Sequence, residues 1–398
     1  MSRFLSLAAI PVRPVSTATM AVLVTVLLAN CSLRKSPHER YGVAAIEGAG
    51  SLLREAREES EAEGVPAARD LVAERLAELD GSGGKLERRV IQTTARPEFK
   101  FPDSFAALSA VQRKRVAIVI VPGTQTGFGG PSKTRDCLRE AAKRSEEMGF
   151  ATHFIDTPPR GGVEENAELV AEWLEPVFAE ADQVVMVMLS KGAHDVICYL
   201  QHHAVDLPAA DRRKLKVVLS LVGTLQGSVV ADYFANAPRF SPAMTRAALR
   251  LQGNGVQISM LQTVARTPWE ADRAKRMGAA FPNLTWISLA MIPDGDDGEI
   301  VERLWSPFIR GRIAKNSPYY SPADGLVESA AAILPDEVEV PEWIVRAFGS
   351  HSMPNGHYID GSRVAPHTTV PGDEELKPVS GGEVMSAYLR ALPQSLLR

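Results

Sequence analysis

Cysteine is scarce in this chain: three among 398 residues, Cys31, Cys137 and Cys198. Thiols so spaced make neither a disulfide framework nor a metal-ligand pattern. Cys137 and Cys198 fall in helical segments and read as buried free thiols. Charge of one sign is equally missing. Lys and Arg number 44 against 48 Asp and Glu, a net charge of −4, and no basic run stands out, so no nucleic-acid partner is expected. Nor does the apolar stretch at residues 18–29 reach the ~20 residues of a comfortable membrane span. What is present is ordinary for a globular protein, 45% hydrophobic and 23% charged residues. That suffices for one large α/β domain with decorations rather than two equal domains.

The N-terminus carries a separate signal. Arg3 and Arg13 precede residues 18–29, so the stretch reads as the h-region of an export signal. It closes in Leu28-Ala29-Asn30-Cys31-Ser32, which resembles a bacterial lipoprotein lipobox, with Cys31 the residue that would be diacylated after cleavage. Asn30 departs from the small residue expected there. The expectation is an exported, envelope-located protein whose membrane partner is reached through a lipid anchor. Export without lipidation, an uncleaved anchor and initiation at Met20 are the alternatives. Residues 1–31 are thus set apart from a helical extension, 32–84. That extension is rich in Glu, Arg and Ala, with Leu52, Leu53, Leu71, Val72, Leu76 and Leu79 at helical spacing. Two helices are predicted there, a spacer or a packed flank, ending in a flexible break at Gly81-Ser82-Gly83-Gly84.

From about residue 86 short β-rich runs alternate with amphipathic helices. Strands are predicted at 115–121, 151–156, 183–189, 216–222, 284–292 and 342–348, and helices at 134–148, 163–180 and 191–203. Near-continuous apolar strands in such alternation indicate an α/β class domain, 85–398, with a mostly parallel sheet covered by helices on both faces. Residues 229–282 lack strand character and are helical around 242–251. An insertion there would lie over the carboxyl ends of the strands as a cap, where ligands bind in open α/β sheets. Its apolar residues, Tyr233, Phe234, Phe240, Met244, Leu249 and Leu251, would line a substrate site or form the cap's own core.

The run Val184-Val185-Met186-Val187-Met188-Leu189-Ser190-Lys191-Gly192-Ala193 has the layout of a nucleophile elbow. A buried strand delivers a serine into a tight turn, and a helix follows at once. A serine hydroxyl needs a base, a group to orient that base, and donors for the developing oxyanion. In chain order the base should come last. His351, in Gly349-Ser350-His351-Ser352, follows the strand 342–348, and His357 is its rival. His194 lies one turn along the elbow helix, where a packing role is expected. For the acid, Asp324 and the cluster Asp294, Asp296 and Asp297 remain open on position alone.

Three segments resemble the bacterial serine lipases and esterases of the α/β-hydrolase superfamily. They are the elbow Ser190-Lys191-Gly192, the run Gly223-Thr224-Leu225-Gln226-Gly227-Ser228 through Asp232, and Asp324-Gly325-Leu326-Val327, which matches the catalytic-acid motif D-G-L-V. The resemblance implies the α/β-hydrolase fold, Asp324 as acid, and a base roughly twenty to thirty residues further on, which His351 meets. It implies a carboxylic-ester hydrolase with Ser190 as nucleophile, acting on a small-molecule ester or lipid, with no cofactor.

There are departures. Met188 stands where the elbow pattern has its first glycine, and Met353 where these lipases often carry a calcium-ligand aspartate, so no metal is expected. Pro122-Gly123-Thr124 replaces the family's His-Gly. The backbone N–H of Thr124 or Gln125, with that of Lys191, would form the oxyanion hole. The glycine-rich run 123–130 lacks the Gly-Lys-Ser/Thr of a phosphate loop. Lys191 beside the serine suggests an acidic substrate. Two other readings stand beside the esterase: an inactive scaffold serving as an envelope-anchored binding protein, and a thioesterase or amidase using the same triad.

Overall fold

Six apolar runs become strands: β1 Val116–Val121, β2 Ala151–Phe154, β3 Gln183–Leu189, β4 Leu215–Leu221, β5 Thr285–Ile292 and β6 Glu342–Phe348. The structure is a computed structural model that describes residues 50–96, 98–124, 133–228, 231, 260, 263–292, 321–324, 326–348, 351 and 381–398. The strands form one parallel sheet in the order β2-β1-β3-β4-β5-β6. Both faces of the central strands are covered, which is why β1 and β3 are near-continuously apolar rather than alternating. Ile118, Ile120, Val185 and Val187 enter one core cluster; Val119, Val121, Met186 and Met188, their neighbours in sequence, enter the other.

The main helices are α1 Ser51–Ala62, α2 Val65–Leu79, α3 Lys85–Ala95, α4 Lys133–Glu147, α5 Val163–Glu180, α6 Gly192–His202 and α7 Gly381–Ala391. Val90 of α3, Leu138 of α4 and Tyr388 of α7 cover one face. Leu174 of α5 and Ile197 of α6 cover the other. Strand order reverses between β1 and β3, so the crevice beyond their carboxyl ends is the switch point where such sheets bind ligands. With a serine turn at the end of β3, the described residues have the α/β-hydrolase fold.

Of the predicted cap, most residues, including 242–251, lie outside the described residues. The end that is described packs on the core. Trp269, Met277 and Phe281 pack into the cluster of the α5–α6 layer, because they are large apolar groups leading directly into β5.

The N-terminal helices pack against the domain. Leu52, Leu53, Val72 and Leu76 share a third apolar cluster with Ala290, Ile292, Val327, Ile333 and Ile344. The predicted flexible break at Gly81-Ser82-Gly83-Gly84 is instead an anchored turn. Asp80 accepts from the backbone N–H groups of Ser82 and Gly84 and from the Ser82 hydroxyl, at 2.9, 2.6 and 2.7 Å. Gly81 N–H donates to the Glu342 carbonyl at 2.9 Å, and a Cβ at Gly81 would stand 2.5 Å from that oxygen. The turn thus protects a sheet edge. Ile344 N–H donates to Asp80 and Arg346 N–H to Glu87, each at 2.9 Å.

Candidate active site

Strand β3 ends at Leu189, and Ser190 turns with φ 53. Its N–H donates to the Leu221 carbonyl at 3.1 Å, and its carbonyl accepts Ala193 N–H at 3.0 Å, opening α6. Among the described non-glycine residues, positive φ occurs only at Ser190 and at Val222, which has φ 44 and follows the neighbouring strand. Such strain costs on the order of 1 kcal/mol per residue and gathers at functional sites.

Two glycines let the end of β1 meet this turn. A Cβ at Gly192 would lie 2.7 Å from the Val121 carbonyl oxygen, and one at Gly123 would lie 2.6 Å from that of Leu189 and 2.9 Å from Ser190 Cβ. Met188 does not obstruct the elbow. It is still within the strand, paired with Val121 and Ser220, and its side chain packs under α6 with Ala193 and Val196.

The structure brings Ser190, His351 and Asp324 together. His351 Nε2 is 2.8 Å from Ser190 Oγ, and His351 Nδ1 is 2.9 Å from Asp324 Oδ2. The second carboxylate oxygen of Asp324 accepts the N–H groups of Leu326 and Val327 at 3.0 and 2.7 Å. His351 N–H donates to the Asp324 carbonyl at 2.8 Å, so the two residues are joined through backbone as well as side chain. Asp324 is buried and His351 only partly so, which leaves the ring able to reach solvent. His357, Asp294, Asp296, Asp297, Gln125 and Cys31 lie outside the described residues.

Lys191 corrects one expectation. Its ammonium is not displayed towards a substrate: Nζ lies 2.7 and 3.0 Å from the two oxygens of Asp195, with both side chains at most 2% exposed. Asn166 of α5 donates to the same carboxylate at 2.8 Å and to the Pro158 carbonyl at 3.1 Å. Burial pushes the Asp195 carboxyl up to about 6, against the pull of Lys191 and Asn166. A Lys four residues before an Asp on one helix face was the sequence signal for this pair.

His194 packs, as its position implied. Its Nε2–H donates to the Arg266 carbonyl at 3.1 Å, and Nδ1 accepts the Thr224 hydroxyl at 2.7 Å. Burial holds this imidazole down to about 4, so it is neutral near pH 7.

The run after β4 has a definite use. Thr224 meets His194, Gln226 Nε2 donates to the carbonyls of Ala330 and Ile333 at 3.1 Å each, and Ser228 Oγ donates to that of Leu326 at 2.6 Å. The last two tie it to the loop carrying Asp324.

Among the described residues no group of three or more His, Cys, Asp or Glu side chains could hold a metal ion, and no helix is long and apolar enough to cross a membrane.

No family model matches the sequence, and no curated protein matches it. Solved structures do resemble the fold. Lipase BlEst2 of Bacillus licheniformis is 18% identical over 64% of this chain and 87% of its own, with a TM-score of 0.38. Carboxyl esterase 2 of the fungus Tuber melanosporum is 16% identical over 60% and 70%, with a TM-score of 0.33. Phospholipase PlaB of Legionella pneumophila is 12% identical over 55% of this chain and 45% of its own, with a TM-score of 0.36. At such identities the likeness says nothing of substrate, and the chemistry rests on the side chains.

Proposed function

We propose that this protein is a serine hydrolase that cleaves a carboxylic ester through an acyl-enzyme. One observation carries the reading: Ser190 Oγ, both ring nitrogens of His351 and the Asp324 carboxylate stand in a single hydrogen-bonded line at the end of β3. His351 Nε2 takes the serine proton as Oγ attacks the ester carbonyl. Asp324 holds the proton on Nδ1 and stabilises the imidazolium. The developing oxyanion is received by the backbone N–H groups of Lys191 and Thr124, the latter carried beside the serine by Gly123. Collapse expels the alcohol, which takes the proton from His351. A water, deprotonated by the same ring, then releases the acid and restores Ser190.

The substrate class is an ester with an apolar, uncharged acyl part, from a small molecule or a lipid. Pairing of Lys191 with Asp195 leaves no elbow cation to attract an acid, and the segment 229–282 supplies apolar side chains such as Tyr233, Phe234, Phe240 and Met244. The N-terminal segment would place the enzyme in a cell envelope, anchored at Cys31; the intact mass of membrane-fraction protein tests that anchor, since cleavage and diacylation change it.

Fluorophosphonate labelling of the purified protein tests the chemistry. Wild type is expected to label, Ser190→Ala to lose the label, and Asp324→Ala and His351→Ala to label at least about a hundredfold more slowly. A folded wild type that stays unlabelled would remove the hydrolase reading in favour of an inactive binding scaffold. Turnover of a chain-length series of p-nitrophenyl esters against matching thioesters then separates esterase from thioesterase.

A further inference from the structure

The triad's acid sits on a loop, residues 321–336, whose regular structure is a single 3-10 turn, Ser329–Ala332. Its support comes from the N-terminal helices. Arg57 of α1 donates from Nε and Nη2 to the two oxygens of Glu328, at 3.0 and 2.6 Å, and the Glu328 side chain is 1% exposed. The same carboxylate accepts the Ser321 N–H at 3.2 Å and its hydroxyl at 2.8 Å. Glu328 also bridges to Ala323 as an antiparallel pair. It therefore closes the turn that contains Asp324, whose own N–H donates to the Val327 carbonyl at 2.9 Å.

The N-terminal end of α1 adds ties. Gly50 N–H donates at 2.7 Å to Gln226, the residue holding Ala330 and Ile333. Ser51 donates from N–H and hydroxyl to Asp336 at 2.8 and 3.1 Å. Beneath these bonds Leu52, Leu53 and Ala56 pack on Val327, Ala330 and Ile333. One helix, 250 and more residues away in sequence, grips the acid loop along its length.

We infer that α1 positions the acid of the triad, with Arg57 as a positioning residue that acts through Glu328 on Asp324. The inference rests on the hydrolase reading. A two-point Arg–carboxylate contact fixes angle as well as distance, and a displacement of about 1 Å at a catalytic group costs on the order of a hundredfold in rate. Arg57 touches no reacting atom; its effect passes through the loop.

The test measures the second-order rate of fluorophosphonate labelling at Ser190, and Tm, in the full chain. Arg57→Met and Arg57→Lys are made alone and on an Asp324→Asn background. Arg57→Met/Glu328→Gln is added because it removes both charges and leaves no buried carboxylate without a partner. Arg57→Met is expected to slow labelling by about ten- to a hundredfold, Arg57→Lys to recover part of that, and Arg57→Met to cost less than about twofold on the Asp324→Asn background, where its target is already lost. The double charge-removal variant should recover Tm but stay slow. Equal slowing on both backgrounds, a wild-type rate in folded Arg57→Met, or a rate that returns with Tm in the double variant would each overturn the positioning role. If Arg57→Met fails to fold, the double variant decides alone. An unlabelled wild type overturns the hydrolase reading and this inference with it, whereas a labelled wild type with an insensitive Arg57 overturns this inference only.

Discussion

His194 shows how much a single buried side chain ties down. Its two ring nitrogens join the elbow helix to Thr224 after β4 and to Arg266 before the next helical turns. The ring must stay neutral to accept the threonine hydroxyl, and burial holds it down to about 4 against about 6.5 in an unfolded chain. Between those values the unfolded state binds more protons, so stability is intact above pH 6.5 and is lost as pH falls towards 4. His194→Gln offers one acceptor and one donor without titrating. Urea unfolding at pH 7 and pH 4.5 should show a smaller loss for the variant than for wild type, by about 2 kcal/mol. Equal losses would mean the histidine charges in the folded protein. Lys191 makes the complementary point: a charge next to the elbow serine can be engaged entirely by an internal partner.

At the scale of elements, the site is a meeting of β1, the elbow and a distant loop, and the glycines set how closely they meet. Gly123→Ala places a methyl where the Leu189 carbonyl oxygen would be 2.6 Å away. Backbone must then move, and the Thr124 amide moves away from Ser190. Labelling by fluorophosphonate should fall by about a hundredfold. Gly83→Ala is the control, since Gly83 has φ +60 but nothing within 4 Å of its Cβ position. It should cost about 1 kcal/mol of stability and leave the labelling rate unchanged; a matched loss in both variants would refute the argument from close approach. These contacts also explain what could be read in advance. Strand β3 was legible to the residue because an apolar run buried on both faces ends sharply at a turn, and the bounds of β6 were read equally closely. Local motif and chain order pointed to Ser190 and His351, and the D-G-L-V resemblance to Asp324; the structure brings the three within hydrogen-bond distance. Glu328 and Asn166 were not singled out, because their meaning lies in partners on other elements, and Asp195 because Lys191 was read as facing a substrate rather than its own helix. Gly81 to Gly84 misled for the same reason: glycines that loosen a free chain are also what a turn pressed against Glu342 requires.

For the whole molecule, the question is whether the N-terminal helices are a separable flank or part of one cooperative structure. The third apolar cluster draws on α1 and α2 and equally on Ala290 and Ile292 of β5 and Ile344 of β6, so the helices share strands with the main core. Arg346 joins the two in polar terms. From β6 it donates through Nε and Nη2 to both oxygens of Glu87 on α3, at 2.8 and 2.7 Å, and through Nη1 to the Ala73 carbonyl of α2 at 3.0 Å. Both charged side chains are nearly buried. Removing one member of such a pair leaves the other without a counter-charge and costs about 3–5 kcal/mol. Arg346→Met should therefore lower the urea midpoint substantially, and Arg346→Met/Glu87→Gln should recover most of the loss. If the helices belong to the core, far-UV circular dichroism and tryptophan fluorescence will still report one coincident transition in both variants. A separate early transition in Arg346→Met, in which circular dichroism falls while fluorophosphonate reactivity persists, would show that α1–α3 detach on their own. It would also contradict the role of α1 in holding Asp324, since an acid loop released from its support could not keep the triad working.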